Sequence, residues 1–274
     1  MVDAPKRTLA IEARDVTVAY QRSRQRDTLV ALEGLNLEVE EGEFLIIVGP
    51  SGCGKSTFLN VAAGLMAPAS GEILVEGKPV RGPGPERAVV FQDYALMPWR
   101  TVVGNIRFGL EMQRRVDSST PEKVARYIEM VGLGGFENAY PRELSGGMRQ
   151  RVGLARALVT EPRILLMDEP LAAVDAMTRE EMQIELSRIV AETGQAVVFI
   201  THSVDEAITL GDRIAVITSR PGRVKEILPV HIPKPRGRDI RQLDEYIELR
   251  DRIWSLLSVD SSKVAHQQDI GAGA

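Results

Sequence analysis

The feature that most constrains this chain is a glycine-rich segment between a short apolar run and a Lys-Ser-Thr triplet. The apolar run Phe44–Val48 has the length of a buried strand, and residues 49–57 after it fit the pattern G-x-x-x-x-G-K-[ST]. Glycines let the backbone N–H groups of such a loop approach phosphate oxygens, and the helix that follows points its positive end at the same charge. The segment therefore predicts ATP or GTP as a ligand, without showing how its energy is used.

Individual residues of this phosphate loop have expected roles. Lys55 is expected to reach the β- and γ-phosphates, and the hydroxyl of Ser56 to bind Mg²⁺. Cys53, the single cysteine, is interpreted as a small loop residue rather than a nucleophile, because no base such as His stands beside it in the sequence. A lone cysteine forms no internal disulfide, which suits a reducing compartment. The predicted nucleotide-binding residues of the loop are Gly49, Pro50, Ser51, Gly52, Cys53, Gly54, Lys55, Ser56 and Thr57.

Length and composition limit the class of protein. A chain of 274 residues suits one large α/β domain or one domain with a subdomain. Hydrophobic residues make up 44% and charged residues 26%, which is ordinary for a globular protein. The net charge of −4 provides no basic field, so no nucleic-acid partner is predicted. No apolar run approaches the length of a membrane span, and the N-terminus does not resemble a signal peptide.

The order of the predicted elements indicates an α/β fold. Near-continuous apolar strands separated by helices predict a mainly parallel core sheet covered on both faces, and alternating segments in the first half predict an antiparallel β subdomain. Helical spacing over residues 102–144 predicts an inserted helical subdomain, at about residues 95–160. The predicted strands are residues 8–20, 35–39, 44–48, 72–75, 88–91, 164–167, 197–201 and 214–218, and the other predicted helices end at about residue 66 or span residues 176–191 and 205–210.

An acidic pair closes the strand predicted at residues 164–167. Asp168 and Glu169 would lie at the carboxyl edge of the parallel sheet, beside the phosphate loop, where such sheets bind ligands. Asp168 is predicted to hold Mg²⁺, usually through water, and Glu169 to polarise an attacking water as a general base. A solvated acidic turn is the alternative, which the preceding phosphate loop disfavours.

A second anion-binding helix end is predicted in the sequence Leu-Ser-Gly-Gly. Ser145 is a good N-cap, and Gly146 and Gly147 leave the first N–H groups of the helix bare, although an ordinary helix start would read the same. The phosphate loop, this Leu-Ser-Gly-Gly and the later Met-Asp-Glu-Pro, in that order, resemble the ATP-binding-cassette (ABC) ATPases. The resemblance covers about residues 9–222, and it implies the P-loop NTPase cassette fold.

The resemblance implies a homodimer that traps two ATPs at its seam, where Ser145, Gly146 and Gly147 bind the γ-phosphate of ATP held by the second subunit. By the same resemblance, Gln92 senses Mg²⁺ and the lytic water, and His202 is the switch histidine. The other implied roles are Asp175 in the loop that crosses between subunits and Tyr20 as the aromatic residue on adenine, although His202 could be structural and Tyr20 a core tyrosine. The implied catalytic residues are Glu169, His202, Lys55 and Gln92, and the implied Mg²⁺ ligands are Ser56, Gln92 and Asp168.

Two departures from the family pattern are visible. The crossing loop, commonly Ser-Ala-Leu-Asp, reads Ala172-Ala173-Val174-Asp175, so the serine hydroxyl is absent. The signature continues with Met148 where glutamine is commonest. Together with residues 91–99 and 218–222, this variant resembles the nitrate/sulfonate/taurine group of bacterial importers. Nitrate, sulfonates, taurine, thiamine precursors and similar solutes all stay open as cargo.

The importer resemblance implies partners and a location. A cassette without a membrane span would work with separate integral membrane permease subunits, and indirectly with an extracytoplasmic solute-binding protein. It would be peripheral, at the cytoplasmic face of the inner (plasma) membrane. A groove for a short helix of the membrane subunit would be lined by Tyr94, Leu96, Met97 and Trp99, which could equally fill the core of the helical subdomain.

The chain is expected to divide into an ATP-binding domain (8–222), a strand and amphipathic helix (223–258) and a mobile tail (259–274). An apolar stripe on that helix, most simply a surface that covers its own domain, comprises Leu243, Tyr246, Ile247, Ile253, Trp254 and Leu257. The main alternative function is a soluble ABC ATPase that is not coupled to transport. A P-loop kinase would have no use for the Ser-Gly-Gly helix end, and intact Glu169 and His202 disfavour a regulatory subunit without turnover.

Overall fold

The structure, a computed structural model, describes residues 8–21, 28–172 and 174–271, with side chains as far as residue 258. Within these residues the chain forms two sheets and seven α-helices. The helices are α1 (Lys55–Ala62), α2 (Val102–Met112), α3 (Thr120–Met130), α4 (Gly146–Leu158), α5 (Ala176–Thr193), α6 (Val204–Leu210) and α7 (Asp244–Gly271). None of the described helices combines the length and the apolarity needed to cross a bilayer.

The larger sheet has six strands in the order β10-β9-β3-β8-β7-β6. The five strands from β9 to β6 are parallel, and β10 pairs with β9 in the antiparallel sense at the edge. Its strands are β3 (Phe44–Val48), β6 (Arg87–Val90), β7 (Ile164–Asp168), β8 (Ala196–Ile200), β9 (Arg213–Ile217) and β10 (Val224–Pro229). The predicted parallel core sheet is therefore confirmed.

The smaller sheet is antiparallel, with four strands in the order β2-β1-β4-β5. Its strands are β1 (Leu9–Gln21), β2 (Thr28–Glu40), β4 (Ser70–Val75) and β5 (Lys78–Pro79). Strand β2 is longer than the predicted segment 35–39, and β5 is an addition to the sequence prediction. The sheet is the predicted antiparallel β subdomain.

Two hydrophobic clusters lie on opposite faces of the parallel sheet. Phe44, Ile46 and Val48 of β3 pack into a cluster formed with α2 to α7, whereas Leu45 and Ile47 pack against α1 and the antiparallel sheet. All five residues of β3 are buried. A strand that is covered on both faces must be apolar throughout, which explains the continuous run that ends at the phosphate loop.

Helix α1 ends four residues earlier than predicted. Gly64 adopts a left-handed conformation, with φ at 76°, and the N–H of Leu65 turns back to the carbonyl of Asn60 at 2.9 Å. A Cβ atom at position 64 would lie 2.2 Å from the carbonyl oxygen of Gly82. The helix therefore stops where the backbone of Gly82 approaches closely.

The C-terminal segment contains the predicted strand, β10, and the predicted helix, α7, but the apolar stripe divides between two faces of that helix. Tyr246 and Ile253 are buried in the helical cluster, whereas Leu243, Ile247 and Trp254 are exposed. Helix α7 continues to Gly271, and residues 272–274 lie outside the described residues. The mobility of residues 259–274 and the domain boundaries stay predictions.

We expect Arg236 to be the main polar anchor of the C-terminal segment. Its buried guanidinium donates to four carbonyl groups, those of Ile232, Ile208, Gly211 and Val230. Arg236→Leu leaves these oxygens without that donor and should lower the free energy of unfolding in urea by about 3 kcal/mol.

The matched control is Arg238→Leu. Arg238 is 71% exposed and pairs with Glu180 at the surface, so its loss should change the free energy of unfolding by less than about 1 kcal/mol. Equal losses in the two variants would contradict an anchoring role for Arg236.

Candidate active site

A cleft opens at the carboxyl edge of the parallel sheet, where the loops after β3, β6, β7, β8 and β9 meet. Its volume is 590 Å³. The cleft brings together predicted residues from five separate parts of the chain. It is lined by Tyr20, Leu29, Ala31, Ser51, Gly52, Gly54, Lys55, Ser56, Thr57, Gln92, Glu169, His202 and Arg220.

The phosphate loop joins β3 to α1 in a conformation that depends on two glycines. Gly52 and Gly54 have φ values of 75° and 101°, which side chains disfavour. A Cβ atom on Gly54 would lie 2.8 Å from the carbonyl oxygen of Ala31. No side chain caps the start of α1, so its first N–H groups are available to an anion.

Lys55 stabilises the loop from within. Its side chain is buried, and Nζ donates to the carbonyl oxygens of Gly49 at 2.8 Å and Pro50 at 3.0 Å. Reaching a phosphate would require the ammonium group to share or leave these carbonyls. Cys53 is also buried, and burial raises the pKa of its thiol, as expected for a packing residue and not for a nucleophile.

Asp168 and Ser56 form the oxygen pair predicted for Mg²⁺. Burial raises the pKa of the Asp168 carboxyl, a hydrogen bond with the Ser56 side chain opposes that rise, and the charge of Glu169 adds to it. A carboxylate and a hydroxyl are hard oxygen ligands, which Mg²⁺ prefers, and Gln92 on the same cleft could add an amide oxygen. The side chains present therefore suit this ion.

Glu169 is fixed at the turn after β7 by its backbone. Its φ is 47°, its N–H donates to the carbonyl of Ile200 at 3.0 Å, and its own carbonyl accepts from Nε2 of Gln150 at 3.2 Å. This anchoring directs the carboxylate into the cleft, where Oε2 lies 3.3 Å from Nδ1 of His202. At this separation the imidazole contacts the carboxylate directly and can keep it oriented as a proton acceptor. Sequence reasoning had not identified Gln150.

Tyr20 also lines the cleft. Its hydroxyl is 3.1 Å from that of Thr57, and the residue is 37% exposed. Such exposure argues against the core-tyrosine alternative and leaves part of the ring open to a flat ligand.

The four residues that the family resemblance assigns to the seam with a second subunit do not line this cleft, and neither do Gly49, Pro50, Cys53 and Asp168. Ser145 caps α4 by accepting from the N–H of Met148 at 3.2 Å, and Gly146 and Gly147 form the first turn of that helix. Asp175 caps α5 by accepting from the N–H of Thr178 at 3.0 Å, a bond that lowers the pKa of Asp175. Ala173, in the crossing loop, lies outside the described residues.

The candidate groove residues separate into two kinds. Leu96 packs against the helical cluster, and the backbone of Met97 is held on both sides by Asn105. Arg149 lies over the ring of Tyr94, at 5.6 Å from its centroid. Trp99, in contrast, is 74% exposed. The core interpretation therefore fits Leu96, and a free contact surface fits Trp99.

Arg220 is a cleft residue that sequence reasoning missed. Its Nε donates to the carbonyl of Gly52, 168 residues away, at 2.9 Å. The sequence contains one signal for it, the segment 218–222, but that segment supported only the family resemblance. Its place beside the phosphate loop follows from the pairing of β9 with β3.

Known proteins resemble this chain in sequence and fold. The sequence profile of the ABC transporter family matches residues 32–172. A taurine import ATP-binding protein of Pelagibacter ubique is 45% identical over 235 residues, 84% of this chain and 89% of that protein. A nitrate import ATP-binding protein of Synechocystis is 44% identical over 239 residues, 85% of this chain and 90% of that protein.

Among solved structures, an ATP-binding cassette in a dimeric post-hydrolysis state with bound ADP and phosphate has a TM-score of 0.73 and 31% identity. The match covers 83% of this chain and 99% of that chain. The chain therefore belongs to the ABC transporter family and is one of its ATPases.

Proposed function

We propose that this chain is the ATP-hydrolysing subunit of a multi-subunit importer that takes up a small solute of the nitrate, sulfonate or taurine type. The observation that carries the hydrolytic part is the cleft in which Glu169 and His202 lie 3.3 Å apart beside the phosphate loop. The names of the taurine and nitrate import relatives support the importer part.

ATP would enter the cleft with its phosphates at the phosphate loop and its base near Tyr20. The uncapped N-terminus of α1 offers N–H groups to the phosphates, and Lys55 would move its charge from the Gly49 and Pro50 carbonyls to the β- and γ-phosphates. Ser56, Asp168 and Gln92 would hold Mg²⁺, which when bound offsets negative charge on the phosphates.

In the hydrolytic step, Glu169 accepts a proton from the attacking water while Gln92 orients that water. His202 would keep the Glu169 carboxylate directed at this water through the 3.3 Å contact. The carbonyl of Ile200 and the side chain of Gln150 hold the backbone of Glu169. The carboxylate is therefore in position before the reaction begins, and no ordering is needed during it.

A second copy of the chain would complete the site. The exposed helix end formed by Ser145, Gly146 and Gly147 has bare N–H groups and would meet the γ-phosphate of ATP bound to the other copy, with Asp175 at the same seam. The dimeric state of the solved cassette supports this arrangement. ATP would favour the closed dimer because it adds contacts that the open state lacks, and hydrolysis would remove them.

Coupling to permease subunits would place the protein peripherally, at the cytoplasmic face of the membrane, with an extracytoplasmic binding protein acting indirectly. Trp99 supports this part of the proposal, because a large exposed aromatic residue is a typical anchor of a protein interface. It lies seven residues after Gln92, so one segment connects the cleft with the proposed contact. A soluble ABC ATPase without transport is the alternative, and it would copurify with no membrane subunit.

We expect Glu169→Gln to lower the ATPase rate of the reconstituted transporter at least about 100-fold, since the variant cannot accept the proton. ATP-driven dimerisation, measured by light scattering, should persist. Glu181→Gln, on the exposed surface of α5, is the control and should leave both properties unchanged. Normal turnover in Glu169→Gln would remove this residue from the role of base.

We expect Trp99→Ala to weaken capture of the permease subunits at least about 10-fold, because it deletes the exposed anchor. ATP affinity of the isolated chain should not change. The matched control is Trp254→Ala, which removes the other tryptophan, 56% exposed on α7. Equal retention of the membrane subunits by the two variants, in pull-downs from detergent extracts, would contradict the proposed contact.

A further inference from the structure

The β9–β10 loop, residues 218–223, has no part in the function described so far, yet several internal hydrogen bonds hold it. The hydroxyl of Thr218 donates to the carbonyl of Pro221 at 3.0 Å and accepts from the N–H of Arg223 at 3.0 Å. The N–H of Thr218 also donates to the carbonyl of Arg223 at 3.0 Å. These bonds close the loop on itself and present Arg220 on its outer side.

The same loop is wedged between the antiparallel sheet and the phosphate loop. The N–H of Gly222 donates to the carbonyl of Ala31 at 2.8 Å, and its own carbonyl accepts from the N–H of Glu33 at 3.1 Å. A Cβ atom on Gly222 would lie 2.0 Å from the carbonyl oxygen of Cys53. The position of Arg220 relative to the cleft is therefore fixed from both sides.

The guanidinium of Arg220 contacts the phosphate loop directly. Its Nε donates to the carbonyl of Gly52 at 2.9 Å, and a Cβ atom on Gly52 would lie 2.7 Å from a terminal nitrogen. Glycine at position 52 thus serves two purposes, a left-handed conformation and room for this side chain. The bond to Gly52 uses one of the five N–H groups of the guanidinium.

Arg220 differs from Lys55 in how its charge is used. Lys55 is buried and donates to two loop carbonyls, whereas Arg220 is exposed on the cleft. Within the described part of the chain, no carboxylate lies at salt-bridge distance from Arg220, and its terminal nitrogens have no acceptor. A guanidinium in this state is suited to phosphate oxygens, which it contacts with two parallel N–H groups.

We propose that Arg220 is a nucleotide-binding residue, which holds the Gly52 carbonyl through Nε and offers its terminal N–H groups to the polyphosphate of ATP. The proposal rests on ATP as the ligand of this cleft and is independent of the importer role. Two contributions follow from it. One is the shape of the phosphate loop, and the other is positive charge that favours ligands with more phosphates.

Three variants separate charge from hydrogen bonding. Arg220→Lys keeps the charge, Arg220→Gln keeps an N–H donor for Gly52 without charge, and Arg220→Met keeps neither. Binding of ATP, ADP and adenosine to the purified full chain would be measured by calorimetry in EDTA, which prevents hydrolysis. We expect the ATP Kd to rise about 10-fold in the Gln variant, further in the Met variant, which also loses the bond to Gly52, and less than about 3-fold in the Lys variant.

The dependence on phosphate and salt tests the role of charge. Loss of affinity in the Gln variant should be largest for ATP, smaller for ADP and absent for adenosine, and the salt dependence of the ATP Kd should weaken. In the Mg²⁺-dependent ATPase assay, the same variant should raise KM with kcat within about 2-fold of the parent.

Arg223→Gln is the matched control. Arg223 belongs to the same loop, but it pairs with Glu33 at 2.7 Å and does not line the cleft, so all three affinities should stay within about 2-fold of the parent. The proposal would be overturned if Arg220→Gln bound ATP as tightly as the parent, or if it bound ATP and adenosine with equally weakened affinity. Failure of the importer proposal would appear elsewhere, as a chain that binds ATP normally but captures no membrane subunit.

Discussion

The parallel pairing of β3, β8, β7 and β6 is the constraint on which the rest of this structure depends. Ile47 pairs with Ile200, Ile200 with Asp168, and Val90 with Met167, so the strands reach the same edge in register. Each strand then delivers one component within two residues of its end, namely the phosphate loop, His202, Glu169 and Gln92. The two-sided burial that makes these strands apolar also makes their ends rigid.

Among the described residues, neither Asp168 nor Glu169 lies at salt-bridge distance from a lysine or an arginine, and Glu169 contacts only the imidazole of His202 in this way. Asp168 is destabilised as an anion by burial and by Glu169, and Lys55 opposes that effect from inside the phosphate loop. Arg220 adds positive charge at the outer side of the loop. Such a site favours binding of a ligand that brings both negative phosphates and a counter-cation. The phosphates would meet the fixed positive charges of Lys55 and Arg220, and the cation would meet the fixed carboxylates.

Local signals predicted the fold and the phosphate loop because they depend on few neighbours. The G-x-x-x-x-G-K-[ST] pattern needs the strand before it and the helix after it, and both are present. Long-range contacts set the features that were missed. Helix α1 ends where Gly64 approaches Gly82, and Arg220 reaches a carbonyl 168 residues away. The stripe on α7 divides because Tyr246 turns inward and donates to Asp205 of α6.

The crossing loop is held by a long side chain from the helix that follows it. It lacks the serine common in the family, yet Arg179 donates to the carbonyl of Val174 at 2.8 Å. The same guanidinium lies 3.8 Å from the buried Glu206, whose carboxylate accepts from the hydroxyl of Thr201.

Thr201 immediately precedes His202, so a guanidinium and a carboxylate join the crossing loop to the histidine segment. Burial raises the pKa of Glu206, and the hydrogen bond from Thr201 and the charge of Arg179 oppose the rise. Loss of the Arg179 side chain would therefore remove both a donor to the crossing loop and a charge that offsets a buried carboxylate.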